Sequence, residues 1–188
     1  MSAILLMCLG LLKAGDHVVC SQSMFGSTIK LIGGELARFG VESSFVPQTD
    51  SSAWKAALRP NTQLLFAETP TNPLTDLCDI AELAAIAHDA GVLLAVDNCF
   101  ASPAQRPAML GADLVIHSGT KFLDGQGRVM AGAVCGPRSI IDDKLAPLIR
   151  SAGVNLSPFN AWVVLKGMET LRIRMEAQSA NALALAQW

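Results

Sequence analysis

Short apolar runs alternate along the chain with segments whose apolar positions recur every three to four residues. The runs fall at residues 17–20, 42–46, 63–67, 92–96 and 113–117, with a sixth at 129–135 after a change of pattern. They are rich in Val, Leu and Ala and lack the polar alternation of a strand with one wet face. The helical patterns between them lie at 28–39, 51–58 and 79–90, with another at 140–150. Strand then helix, repeated, predicts a parallel sheet covered on both faces. Gly40, Gly91 and Gly111 stand just before strands, where a helix or turn commonly ends at positive φ.

The chain has 188 residues, 51% hydrophobic and 16% charged, enough to bury one full core. A formal net charge of −2 and the absence of any Lys/Arg run exclude a nucleic-acid-binding surface. The odd set Cys8, Cys20, Cys78, Cys99 and Cys135 shows no Cys-x-x-Cys spacing, which predicts no metal and free thiols in a reducing, cytoplasmic setting. Residues 3–12 are apolar but shorter than the ~20 needed to span a bilayer. No basic residue precedes them, so a buried helix closed by Gly15 is expected rather than a leader.

No internal repeat or linker composition divides the chain. Ser157-Pro158 opens a helical region by the N-cap and N1 preferences, and 169–188 keeps helical periodicity without a stop signal. The expectation is a domain at 1–155, followed by a helical connection at 156–188 toward further chain.

In an open parallel sheet, ligands sit beyond the carboxyl ends of the strands. The residues there are Ser21-Gln22-Ser23-Met24-Phe25-Gly26, Glu68-Thr69-Pro70-Thr71-Asn72-Pro73, Asp97-Asn98 and Ser118-Gly119-Thr120-Lys121. An aldehyde cofactor with a pyridine ring and a phosphate needs an amine, a carboxylate, phosphate donors and a flat stacking surface. Lys121 would form the imine from a partly buried position, and Asp97 would pair with the ring nitrogen. Ser118 and Thr120 would donate to the phosphate, Phe25 would cover the ring, and Asn72 would bond its phenolic oxygen. Taken singly, each residue has a plainer reading as a cap, a turn or core. His117 reads as a hydrogen-bonded sheet residue, and Cys99 as packing beside a site.

These segments, with Val96-Asp97-Asn98-Cys99-Phe100-Ala101-Ser102-Pro103, Leu110-Gly111-Ala112-Asp113 and Lys166-Gly167-Met168-Glu169-Thr170-Leu171-Arg172, resemble the pyridoxal-phosphate enzymes of cysteine and methionine metabolism. The resemblance covers essentially the whole chain. It implies an α/β fold of the aspartate-aminotransferase type, with a mostly parallel seven-stranded sheet and helices on both faces. It further implies pyridoxal 5'-phosphate on Lys121, and a phosphate contact from the backbone of Met1. Small amino-acid substrates and sulfide would be the partners, in a dimer or tetramer whose subunits share sites. An N-terminal segment and a C-terminal domain would complete the enzyme.

Phe25-Gly26 stands where many relatives carry Tyr-Gly, and Gly125-Gln126-Gly127-Arg128 follows the lysine. Both departures resemble the O-succinylhomoserine sulfhydrylase branch, where sulfide replaces succinate to give homocysteine. Cystathionine γ-synthase and the cystathionine lyases are the alternatives on the same scaffold. The reading from another class is a folded fragment that binds or assembles without catalysis. No Gly-x-Gly-x-x-Gly or Gly-x-x-x-x-Gly-Lys-Ser/Thr follows a strand, which argues against a plain nucleotide fold.

Overall fold

The computed structural model describes residues 1–188. Six strands form one sheet: β1 His17–Ser21, β2 Glu42–Val46, β3 Thr62–Glu68, β4 Leu93–Asp97, β5 Leu114–Ser118 and β6 Gly132–Cys135, in the order β2-β1-β3-β4-β5-β6. Neighbours are parallel except β6, which runs antiparallel to β5. The sheet therefore has six strands rather than the seven expected, since 129–135 supplies the last of them and β6 pairs on one side only.

The helices are α1 Ser2–Leu11, α2 Gly26–Lys30, α3 Ser51–Ala56, α4 Ile80–Asp89, α5 Arg138–Ile140, α6 Ala146–Ala152, α7 Pro158–Met168 and α8 Leu171–Gln187. The helix expected over 28–39 is α2 continued by a π turn at Leu31–Glu35 and a 3-10 turn at Leu36–Phe39. Its end at Gly40 takes φ 82°. Caps fit the local sequence: Asp79 accepts from the Glu82 amide, and Ser157 from the Asn160 amide ahead of Pro158.

Both faces of the sheet are covered, which is why the strands carry no polar alternation. Leu64, Phe66, Ala95, Leu114 and Ile116 pack on one face with α1 residues Ile4, Met7 and Cys8 and with Leu145. Leu65, Ala67, Leu94 and Val96 pack on the other with Trp54 of α3 and Leu83 and Ala87 of α4. Each such side chain contributes about 1.5–3 kcal/mol by leaving water. The apolar run at 3–12 is thus core, and no helix is long and apolar enough to cross a membrane. All five cysteines are free thiols.

Helix α7 meets the turn that follows Lys121 at Gly167. A Cβ there would lie 2.4 Å from the Asp124 carbonyl oxygen and 2.6 Å from that of Leu123. Both obstacles are backbone, so Gly167→Ala is expected to cost about 1–3 kcal/mol. Thermal melting would show this as a drop of several degrees, and an unchanged midpoint would mean that α7 does not hold this turn.

Candidate active site

The face on which each acid lies follows from the strand period of two. Phe66, Ala95 and Ile116 share the face covered by α1, so Glu68, Asp97 and Ser118, two residues further along β3, β4 and β5, continue that face. Register brings them together, with Glu68 opposite Asp97 and Asp97 opposite Ile116.

Asp97 is only 6% exposed, and its Oδ1 is buried without a hydrogen-bond partner. Desolvation raises its carboxyl from the ordinary 3.8 to about 6, opposed by the hydrogen bonds that Cys99 donates. A buried acceptor with nothing to accept from calls for a donor, ideally a charged one. The protonated nitrogen of a pyridine ring is such a donor, so the free Oδ1 of Asp97 fits pyridoxal phosphate.

The Ser118 turn supplies the next element. Gly119 is buried, its amide donates to the Ala131 carbonyl at 2.8 Å, and a Cβ in its place would lie 2.6 Å from Ala131 Cβ. Only glycine allows β5 to turn this closely against the start of β6. The turn then breaks at Lys121, whose φ of −93° and ψ of −121° interrupt the helical geometry on either side. Lys121 is exposed, not partly buried as the sequence suggested. The apolar residues that made 115–121 look buried belong to the strand, and the amine lies beyond its end.

Thr120 Oγ1 accepts from the Ala131 amide at 3.1 Å and donates to the Ala131 carbonyl at 3.4 Å, so an anion here would have to displace the longer of the two bonds. Ser118 lies within reach of the Cys99 thiol, which burial and the nearby Asp97 charge push up to about 12 and so keep neutral. The N-terminal turn of α1 closes over this region: a Cβ on Gly132 would lie 3.0 Å from Ala3 Cβ and 3.7 Å from both the Ala3 nitrogen and the His117 carbonyl oxygen. The first turn of α1 therefore lies near Ser118, where unpaired helix amides would favour a phosphate.

Phe25 and Asn72 come from the loops after β1 and β3, on either side of the point where strand order reverses. Phe25 is 46% exposed, and its ring is free to meet a ligand. Asn72 is exposed as well. On the opposite face His117 Nδ1 hydrogen-bonds Ser102 Oγ at 2.9 Å, and desolvation lowers its pKa. His117 is a satisfied structural residue, as its sequence context indicated.

Two groups of residues escaped the sequence reading. Glu68 was seen only as part of a motif, although it ends an apolar strand just as Asp97 does. The other group holds the turn after Lys121. Arg174 of α8 donates through Nη2 to the Phe122 and Gly167 carbonyls, both at 2.9 Å. Buried Asp124 binds the Arg128 amide at 2.7 Å and its Nε at 2.8 Å. Desolvation pushes the Asp124 carboxyl upward, but these bonds and the guanidinium charge hold it below the ordinary range. No local pattern announces contacts that span 52 residues.

The description "Cys/Met metabolism PLP-dependent enzyme" fits the chain over residues 1–188. O-succinylhomoserine sulfhydrylase of Pseudomonas aeruginosa is 57% identical over 189 residues, covering 100% of this chain and 47% of that protein. The Mycobacterium tuberculosis protein of the same name is 46% identical, over 95% of this chain and 44% of its own length. A crystal structure of cystathionine gamma-lyase from Lactobacillus plantarum complexed with L-serine superimposes with a TM-score of 0.94 at 36% identity, over 99% of this chain and 49% of that one. The chain spans about half the length of the curated relatives it matches. Motif order, sheet topology and the unpartnered acid at the end of β4 agree with these likenesses, and the chain belongs to the family of pyridoxal-phosphate-dependent enzymes of cysteine and methionine metabolism.

Proposed function

We propose that this chain carries the cofactor site of an enzyme that replaces the γ-substituent of an activated homoserine, with O-succinylhomoserine and sulfide as substrates. The supporting observation is the buried, unpartnered Oδ1 of Asp97, on the face it shares with Ser118 and beside the turn that presents Lys121. Asp97 would hold the proton on the ring nitrogen. Ser118, the Thr120 hydroxyl and the first amides of α1 at Met1 would hold the phosphate; Phe25 would stack on the ring and Asn72 bond its oxygen. Bound there, pyridoxal phosphate supplies an electron sink for the pair left at the substrate α-carbon.

Lys121 Nζ would be the covalent anchor, and it would also take the proton from the substrate α-carbon and handle the one at the β-carbon. Succinate leaves the γ-carbon and sulfide adds there, so O-succinylhomoserine plus hydrogen sulfide gives homocysteine plus succinate. Residues 1–155 would form the cofactor domain and 156–188 the link to a further domain. Pairing of subunits around shared sites fits the apolar side chains that α7 leaves exposed, Phe159, Trp162 and Leu165.

Likeness to a cystathionine gamma-lyase supports a second reading, cleavage or synthesis of cystathionine on the same scaffold. The purified protein, loaded with pyridoxal phosphate, is to be given O-succinylhomoserine with sulfide, O-succinylhomoserine with cysteine, or cystathionine alone. Homocysteine from the sulfide reaction is the expected main product. Faster formation or breakdown of cystathionine selects the second reading, and no product in any arm overturns both.

A further inference from the structure

Glu68 is 2% exposed, and no Lys or Arg forms an ion pair with it. A carboxyl is costly to bury without a cation, and desolvation raises this one from 4.5 to about 7. What surrounds it is backbone from the two loops that flank the site. The Phe25 amide donates to Oε2 at 2.7 Å, and the Asn72 backbone lies close enough to hold the same carboxyl's pKa down somewhat. The Gln48 side-chain amide donates to the Glu68 carbonyl, fixing the end of β3 itself. Its Cα partner across the sheet is Asp97.

We propose that Glu68 is a positioning residue for the cofactor: by accepting the Phe25 amide beside Asp97, close to the Asn72 backbone, it fixes the stacking ring and the start of the Asn72 loop relative to the acid that meets the ring nitrogen. This rests on the functional reading above and adds a residue to it. A carboxyl oxygen is suited to the task because it accepts whether protonated or ionised, and more strongly when ionised.

The test uses Glu68→Ala, Glu68→Gln and Phe25→Leu in the chain, with pyridoxal phosphate as the probe. Glu68→Ala is expected to weaken cofactor retention about tenfold and to remove the circular-dichroism band induced in the bound cofactor. Glu68→Gln, which keeps an acceptor oxygen, should recover most of both. In a Phe25→Leu background the Glu68→Ala cost should fall to about threefold or less, since one of the two tethered groups is already lost. An equal cost in both backgrounds, or an unchanged band in Glu68→Ala, overturns the assignment.

Should Glu68→Ala fail to fold, amide exchange in the cofactor-free wild type and Glu68→Gln decides. The Phe25 amide should be protected several-fold over the neighbouring Gly26 amide in both, and a Phe25 amide that exchanges as fast as its neighbour overturns the proposal. A wild-type chain that forms no adduct at Lys121 would instead count against the functional reading itself.

Discussion

Replacing Lys121 with alanine is expected to abolish covalent capture of pyridoxal phosphate. Borohydride reduction of the cofactor-loaded chain should attach a pyridoxyl group to the peptide containing residue 121, and Lys121→Ala should yield no such adduct. The other lysines give no alternative anchor at this edge of the sheet. Lys13 precedes β1, Lys30 ends α2 and Lys55 lies on α3; Lys144 and Lys166 lie in the helical stretches after β6. Only Lys121 stands on the turn after β5, next to the strand that ends in Asp97. In the assembled enzyme, loss of an amine that also moves protons should lower turnover by at least about 10²–10⁴-fold. Reduction that labels another lysine equally well in the variant would place the anchor elsewhere.

Asp97→Asn should have opposite effects on stability and on cofactor binding. The folded chain raises this carboxyl from 3.8 to about 6, chiefly by desolvation. A raised acid binds more protons folded than unfolded, so its contribution to stability is fully present below about 3.8 and is lost as pH rises through about 6. Asparagine does not titrate. The cofactor-free variant should therefore gain on the wild type as pH climbs from 5 to 8, by on the order of 1 kcal/mol or about 2–4 °C in melting midpoint. Pyridoxal phosphate should reverse the order. An amide cannot keep a proton on the ring nitrogen as a carboxylate does, so the variant should bind the cofactor more weakly and turn over at least about tenfold more slowly. Parallel melts at the two pH values, with and without cofactor, measure both effects. A variant less stable than wild type at pH 8 without cofactor would show that Asp97 is a structural acid.

The two sets of expectations draw on different parts of the chain. Strand positions were legible because the runs 93–96 and 114–116 are apolar throughout, a pattern that records burial on both sides of a sheet. The acid and the hydroxyl that end those runs were legible for the same reason: the change from apolar to polar is local. Lys121 was identified as an anchor but misjudged in burial, because the apolar residues before it occupy a strand and the lysine follows a sharp turn at Gly119. Thr120 reads in the sequence as a free donor, yet its hydroxyl bonds both the carbonyl and the amide of Ala131, a residue that β6 brings back against the turn.

The sequence by itself determined the elements, their alternation and the polar residues at each strand end, because period and polarity act over a few residues. Which ends are neighbours is a matter of sheet order, and order is settled by packing between segments far apart in the chain. The tertiary structure alone decided that Glu68 lies beside Asp97 on the α1 face, that Asp97 Oδ1 lacks a partner, and that Arg174 reaches the carbonyl of Phe122. Such contacts form only when the whole sheet has closed around its core, so no window of sequence contains them.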